Sequence, residues 1–449
     1  MILVHGLAVA GAATARALQA RGAAVVASDD AVDDRTRALA GDLGIELVVG
    51  PDEDQLARLV AASELVVPAP GVPETHRLFR LAAAAGVPVV SELELAYGWE
   101  QERAGGPRPV LAITGTDGKT TTTLLTVAIL EAAGVRAVDA GNTDTPLVAA
   151  IDLDVDAFVV ECTSFRLAWT KQFRGDAAAW LNLAPDHLNW HTGIASYEAA
   201  KARIFSQQRP TDTAIGFADD PVVMAHLGTA PARRRTFALR GADYHVVGSG
   251  PAAVLTGPTG PLAPVSAMRR ALPHDLTNGL AAAALAIEAG LAGPDAVAAA
   301  LSTFVGPPHR IELVGDADGV RWFNDSKATT PHAAAVAIKA FDHVVLIAGG
   351  LNKGLDLRPM AAAPDRVRAV VAIGQAAGVI AETFAGTAPI VAAESMAEAV
   401  ARAGDLARPG DVVLLSPGCA SFDWYPEGGY PARGEDFRQL VAQRIGGGS

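Results

Sequence analysis

VLAITGTDGKTTTTLLTVAILEAAG, residues 110–134, is the stretch that decides the fold. Val110–Ile113 is a short apolar run, Gly115 and Gly118 punctuate a turn, and an apolar helical pattern comes next. A strand that enters a helix through a Gly-rich turn aims backbone N–H groups and the positive end of the helix dipole at one point, where a phosphate can bind. Two glycines let the backbone approach closely, Lys119 is expected to reach the β/γ-phosphates, and the Thr120 hydroxyl to sit on Mg²⁺. The longer GxxxxGK[ST] pattern is not met, because Ile113 stands where its first glycine belongs. What stands here is the shorter GTxGKTT form. Read blandly, it is a Gly-rich turn with a surface lysine. A lysine and two hydroxyls directly after glycine at a helix start weigh against that.

Outward from this stretch, short β-branched runs alternate with Ala/Leu-rich stretches: Ile2–Val4, Val25–Ala27, Leu65–Val67, Phe158–Val160, Val344–Ile347, Val370–Ile373 and Val412–Leu415. Buried parallel strands read as continuous apolar runs joined by helical crossovers, so the expected class is α/β with parallel sheets. Two composition breaks, at GWEQERAGGPRP (98–109) and at Gly306-Pro307-Pro308, suggest three domains: 1–104, 105–306 and 307–449. The first and last read as Rossmann-like and the middle one as an ATPase-type domain. Residues 230–265, rich in Gly, Pro and short β runs, read as a β-rich appendage of the middle one. The closing GGGS has the composition of a flexible linker and is set outside the expected fold.

The chain has 449 residues, is 50% hydrophobic and carries a net charge of −13. No long Lys/Arg run accompanies that charge, which argues against nucleic acid or an anionic membrane as partner. Cys162 and Cys419 are far apart, without CxxC or Cys/His spacing, and fit a reducing compartment. The apolar start MILVHGLAVAG lacks a basic flank and reads as a strand entering a helix rather than a signal peptide. No apolar run reaches the ~18 residues of a membrane span. The expectation is therefore a cytoplasmic protein without membrane insertion.

Two further stretches carry chemistry. Phe158–Val160 runs into Glu161, and an acid at the end of an apolar strand in the same α/β unit as a phosphate loop is well placed for Mg²⁺. Taken alone it could equally cap a helix. NLAPDHLNWH (182–191) puts His187 and His191 four apart, but Leu188 stands where a zinc hydrolase of that spacing needs glutamate. Lys201, in YEAAKARI, would alone be an ordinary solvated helix lysine.

In one order along the chain stand GTDGKTT, AGN (140–142), ECTSFRL, NLAPDHLNWH, YEAAKARI, HDLTN (274–278), PHRIE, NDSKATT, GGLNKG and LLSPGCASFD. Together they resemble the Mur ligase family over residues 1–440, and Asn324-Asp325-Ser326-Lys327-Ala328-Thr329 resembles its glutamate-adding branch. That resemblance implies ATP-dependent ligation in bacterial cell-wall (peptidoglycan) precursor synthesis: D-glutamate joined to UDP-N-acetylmuramoyl-L-alanine through an acyl phosphate. It implies ATP and two Mg²⁺ ions, and a carbamate on Lys201 as metal ligand. By the same resemblance Gly115, Thr116, Asp117, Gly118, Lys119, Thr120 and Thr121 would hold ATP, with Asn278, Arg310 and Asp325 positioning the nucleotide. Thr120, Glu161, His187 and Lys201 would serve the metal. Asn142 and His187 would contact the muramoyl-alanine substrate. Thr329, Lys353 and Ser421 would bind glutamate, with Phe422 and Tyr430 packing beside it, and Lys327 would help at the phosphates. Lys119, Glu161, His187, Lys201 and Lys327 form the implied catalytic set, in a monomer with small-molecule partners only.

Several residues depart from the family pattern. Asp117 and Asp275 stand where Asn is usual, and Asp144 replaces a glycine. Ala10 and Ala69 replace hydroxyl residues in turns expected to meet UDP, leaving backbone N–H groups after Gly11, and Asp29 as an acceptor for a hydroxyl or the uracil N–H. A two-residue insertion falls within Trp424–Tyr430. Three rival readings remain in view. The first is a nicotinamide oxidoreductase on Gly6-Leu7-Ala8-Val9-Ala10-Gly11 with Asp29, where Ala8 occupies the position that needs glycine. The second is a non-catalytic paralogue, against which the intact Lys119, Glu161 and Lys201 speak. The third is a relative that adds L-glutamate.

Overall fold

The computed structural model describes residues 1–446. Gly446 closes the last helix, Gly429–Gly446, and the rest of the GGGS stretch lies outside the described residues. The chain divides into two compact units. One is Met1–Ala271 with Asp275–Phe304; the other is Leu272–His274 with the chain from Val305 on.

The first unit contains three sheets. At its start, Glu46–Val49, Val25–Asp29, Ile2–His5 and Leu65–Pro68 line up in that order, all parallel. Ile2–His5 runs into the helix Val9–Ala20. Gly11 is required there: a Cβ at that position would lie 1.9 Å from the Gly6 carbonyl oxygen.

The second sheet has six parallel strands in the order Arg233–Phe237, Thr213–Phe217, Ala177–Trp180, Val110–Thr114, Ala157–Glu161, Ala137–Gly141. Val110–Thr114 is inside the sheet and buried throughout, as a continuous apolar run demands. The helices Lys119–Ala132 and Pro273–Glu288 contribute to one core cluster, in which Leu125, Ile129, Leu280 and Leu285 are buried. Each such side chain contributes roughly 1.5–3 kcal/mol relative to exposure. In the register of this sheet, Ile113 lies opposite Glu161 and Thr114 opposite Trp180. Parallel pairing thus brings the acid and the Gly-rich turn to the same sheet edge.

The β-rich appendage expected over 230–265 is smaller than composition suggests. Arg233–Phe237 joins the parallel sheet, and only His245–Val247, Val254–Gly257 and Gly260–Pro264 form a separate antiparallel one. The second unit has a six-stranded sheet in the order Glu312–Ala317, Val320–Asn324, Val412–Leu415, Val344–Gly349, Val367–Ile373, Ile390–Ala393. Its first pair is antiparallel and the remainder parallel. No helix among the described residues is long and apolar enough to cross a membrane.

Candidate active site

The Gly-rich turn is braced from below. Asn182, just past the strand Ala177–Trp180, accepts through Oδ1 from the N–H groups of Thr116 and Asp117, both at 2.9 Å, and donates to the Asp117 carbonyl at 3.1 Å. Those two N–H groups are therefore spent on the turn itself. Helix first-turn N–H groups point out of the N-terminus, so Lys119, Thr120 and Thr121 aim theirs at the turn's mouth. Gly118 caps this helix at φ 85°, in the left-handed region. A Cβ there would stand 2.7 Å from Asn278 Oδ1, which accepts from the Thr122 hydroxyl at 3.3 Å. Asn278 thus lies against the turn.

Two lysines converge on one oxygen. Lys119 Nζ donates to the carbonyls of Gly115 (2.9 Å) and Thr116 (2.7 Å), and Lys201 Nζ donates to the same Gly115 carbonyl at 2.6 Å. Lys201 is 1% exposed, with its Nζ 4.6 Å from the centre of the Tyr197 ring. Burial first, and the neighbouring Lys119 charge second, hold its ammonium well below the usual lysine range. Tyr197 hydrogen-bonds the Thr116 hydroxyl at 3.1 Å, and burial pushes its phenol far up. Asp186 faces the same group of charges. Burial raises its carboxyl, against the pull of Lys119 and Lys201.

Glu161 is 1% exposed. Its Oε1 accepts from Asn142 Nδ2 at 2.9 Å, while its Oε2 is buried with no hydrogen-bond partner among the described residues. An orphaned buried carboxylate oxygen costs free energy unless a cation meets it, and oxygen donors are what Mg²⁺ takes. The unpartnered Glu161 Oε2 therefore fits that ion. His187 has φ 56°, sets its Nε2 3.1 Å from Asp186 Oδ2, and meets the Phe165 ring edge-on. His191 is not its partner. Its Nε2 is 2.8 Å from Ser164 Oγ and its Nδ1 3.2 Å from Glu74 Oε2, so both ring nitrogens are engaged elsewhere.

The first turn, Gly6–Gly11, is equipped differently. Asp29 accepts from the Leu7 N–H at 2.9 Å, so its carboxylate holds the turn, a use the sequence did not reveal. Ala69-Pro70-Gly71 is anchored by the Trp190 indole, which donates to the Pro70 carbonyl at 2.8 Å. Ala10 is buried and Asn142 and Asp144 are exposed. Asp275 forms a bidentate pair with Arg270 (2.8 and 2.6 Å), which accounts for an acid at that position.

In the second unit, Asp325 is buried and accepts from the Ile311 N–H at 3.2 Å and the Ser416 hydroxyl at 2.7 Å. Lys327 is half-buried with Nζ 5.2 Å from the centre of the Tyr430 ring, and the Tyr430 carbonyl accepts from Ser326 Oγ at 2.8 Å. The insertion before Tyr430 therefore still brings that residue to the NDSKATT segment. Arg310 and Thr329 are half-buried, Lys353 and Phe422 exposed, and Ser421 buried at a turn where its carbonyl accepts from the Trp424 and Tyr425 N–H groups. Sequence reasoning assigned nothing to Asn182, Asp186, Tyr197, Glu92 or Arg166. The first three lie inside the NLAPDHLNWH and YEAAKARI stretches, so a signal was present. Arg166 lies in ECTSFRL, and Glu92 had none.

Residues 113–257 match the Mur ligase middle domain, and residues 309–419 match the Mur ligase glutamate ligase domain. A protein of Frankia casuarinae named UDP-N-acetylmuramoylalanine–D-glutamate ligase is 44% identical over 464 residues, covering 99% of this chain and 94% of its own. Proteins of the same name from Myxococcus xanthus and Pelotomaculum thermopropionicum are 40% and 38% identical, each covering 98% of this chain and 97% of their own. Among solved structures, the UDP-N-acetylmuramate-alanine ligase of Thermotoga maritima superposes with a TM-score of 0.59 at 18% identity, covering 99% of both chains. The MurF ligase of the same organism, solved with ADP, gives 0.59 at 16% identity over 85% of this chain and 95% of its own. Likeness at such identity speaks to the fold.

Proposed function

The chain belongs to the Mur ligase family, and from that premise we propose that it ligates D-glutamate to UDP-N-acetylmuramoyl-L-alanine at the expense of ATP. The substrates are inferred from the shared name of relatives that match it end to end. The observation that carries the chemistry is the meeting of Lys119 and Lys201 on the Gly115 carbonyl, in a unit whose Glu161 keeps one carboxylate oxygen unpartnered.

Two ammonium groups on one carbonyl repel, and a wholly buried bare ammonium is costly. An amine held in its neutral form has the lone pair that CO₂ requires. Its addition to CO₂ releases one proton and leaves a carbamate, which turns a repelled cation into an oxygen donor. We therefore assign Lys201 as a carbamylated metal ligand, alongside Thr120, Glu161 and His187, in a site for two Mg²⁺ ions. Bound there, Mg²⁺ supplies positive charge to the phosphate oxygens.

The remaining roles belong to the chain's own groups. Lys119 and the first-turn N–H groups at 119–121 hold the β- and γ-phosphates of ATP, with Gly115 and Gly118 giving the close approach. Asn142 and His187 orient the precursor so that its terminal carboxylate attacks the γ-phosphorus. ADP leaves, and the acyl phosphate retains the activated carbonyl. The amine of glutamate, after losing a proton, adds to that carbonyl, and inorganic phosphate leaves. Most of the rate gain is charge stabilisation and positioning, since little covalent work falls to the protein. In the second unit we assign Thr329, Lys353 and Ser421 to glutamate, with Phe422 and Tyr430 beside it. Lys327 keeps the phosphate role, and Arg310, Asp325 and Asn278 the nucleotide role, that the family resemblance implies. Functionally we divide the chain into 1–104 for the UDP moiety, including Asp29, 105–306 for ATP and 307–449 for glutamate. We take it to act as a monomer in the cytoplasm.

The test is phosphate release with ATP and Mg²⁺ while the precursor and glutamate are supplied singly and together. Release should require both. Release that ignores either substrate overturns the reading.

A further inference from the structure

A line of hydrogen bonds runs to Glu161 from a residue none of the roles above uses. Glu92 begins the helix Glu92–Gln101 and is 2% exposed. Its Oε1 accepts from Arg166 Nε at 2.9 Å, and its Oε2 from the Val148 N–H at 3.3 Å. Arg166, on the short helix Ser164–Leu167 and 5% exposed, donates through Nη1 to Asn142 Oδ1 at 2.9 Å. Asn142 Nδ2 in turn donates to Glu161 Oε1 at 2.9 Å, and the Asn142 N–H donates to the Glu161 carbonyl at 3.0 Å. Gly141 permits this closeness: it has φ 93°, and a Cβ there would stand 2.5 Å from the Glu161 carbonyl oxygen.

Each link has one chemically allowed sense. Arginine only donates, so it fixes the Asn142 amide with its oxygen toward Arg166 and its NH₂ toward Glu161. That NH₂ occupies Oε1 and leaves Oε2 as the carboxylate oxygen without a hydrogen-bond partner. Glu92 in turn holds the guanidinium, since a buried arginine needs a paired acid. The line therefore ends on Oε1 of the carboxylate whose other oxygen, Oε2, is assigned to the metal. Such outer partners of a ligating carboxylate set its orientation and the affinity of the ion.

We propose that Glu92 and Arg166 are positioning residues that act through the Asn142 amide to present Glu161 Oε2 to the metal. The inference rests on the ligase reading for the metal's presence, and its test is separable from that reading. Mn²⁺ binding in the presence of saturating ADP, monitored by electron paramagnetic resonance, needs neither precursor nor glutamate. In Glu92→Leu/Arg166→Met an apolar pair replaces the ion pair, a change that buried pairs often tolerate in stability. This double variant should keep a cooperative melt while its Mn²⁺ dissociation constant rises about 10–100-fold, the range for lost outer-shell partners. Glu92→Asp, which keeps the charge but shortens the reach, should show a smaller rise, and it stands in if the double variant does not fold. The Mg²⁺ concentration for half-maximal phosphate release should rise in parallel, with KM for glutamate unchanged.

A folded variant with the wild-type Mn²⁺ constant overturns the proposal. So does a loss of activity that tracks only the folded fraction. Wild-type protein that binds Mn²⁺ but releases no phosphate with precursor and glutamate would instead strike the ligase reading, and the Mn²⁺ ratio would still judge the positioning role.

Discussion

The first unit contains two Gly-rich turns between a parallel strand and a helix, and they are built for different work. At Gly6–Gly11 the side chains are apolar, the helix starts without a side-chain cap, and Asp29 is spent on the Leu7 N–H. At Gly115–Thr121 the same backbone device carries Lys119, hydroxyls, a bracing Asn182 and a second lysine from a helix some eighty residues on. The geometry of a strand–turn–helix makes an anion site possible in both places. The groups brought to the turn from elsewhere decide whether it can do more than bind. This also answers the oxidoreductase reading of the first turn. Ala8 stands where the dinucleotide fingerprint has glycine, and Asp29, placed as a ribose-binding acid would be, holds its own turn.

The sharpest way to break the contrast is Lys119→Ala. The fold should survive, since Lys119 is half-buried and its hydrogen bonds among the described residues go to turn carbonyls. Phosphate release should fall by about 10²–10³ or more, the loss expected for one preorganised charge donor. A folded variant with near-normal release would refute the assignment of the second turn. Lys201→Ala should come close behind. It removes the amine proposed to carry the carbamate but leaves a cavity that a small carboxylate can enter, so acetate or formate should restore part of the activity. No rescue, together with an unmodified lysine by intact-mass measurement under CO₂, would count against the carbamate.

The two turns should also separate in pH. His5, at the end of the strand before the first turn, is pushed down to about 4, first by burial and then by the neighbouring His76 charge. Its folded value lies below its unfolded value near 6.5, so its contribution to stability is complete above that pH. The contribution is lost as pH falls toward 4, at up to about 1.4 kcal/mol per pH unit. Urea midpoints at pH 7 and pH 5 should show this loss in wild type and less of it in His5→Gln. Equal losses would place the acid sensitivity elsewhere. The smallest effect is expected at the alanine that packs by Gly6. Ala69→Ser should restore at most one hydrogen bond to a charged group, roughly 1.5 kcal/mol, and so lower KM for the UDP-precursor by up to about tenfold. An unchanged KM would mean that backbone groups already complete that pocket.

Much of this contrast was legible in the linear chain. The apolar runs correspond to strands because buried parallel strands leave a continuous signature, and the second Gly-rich turn was readable because glycine, lysine and hydroxyls are contiguous there. Asn182 under the turn, Asp29 on Leu7 and Glu92 on Arg166 were not. Each joins residues 22–74 positions apart, and which ones meet depends on strand order and register. Arg233–Phe237 was misjudged for the same reason: composition marks a strand but not the sheet it joins. Lys201 is the clearest case. Its sequence context is that of an exposed helix lysine, and only packing reveals a buried amine against Lys119's carbonyl partner.

Every role assigned to the second turn presupposes that this chain forms an amide to D-glutamate using ATP bound there. The most direct test gives the purified protein UDP-N-acetylmuramoyl-L-alanine, ATP and Mg²⁺ with equal concentrations of D- and L-glutamate, then resolves the product by mass and by chirality of the added residue. The predicted result is one added glutamate, of D configuration, with one ADP released per amide. A product containing only L-glutamate, or no amide while ATP is consumed, would contradict it.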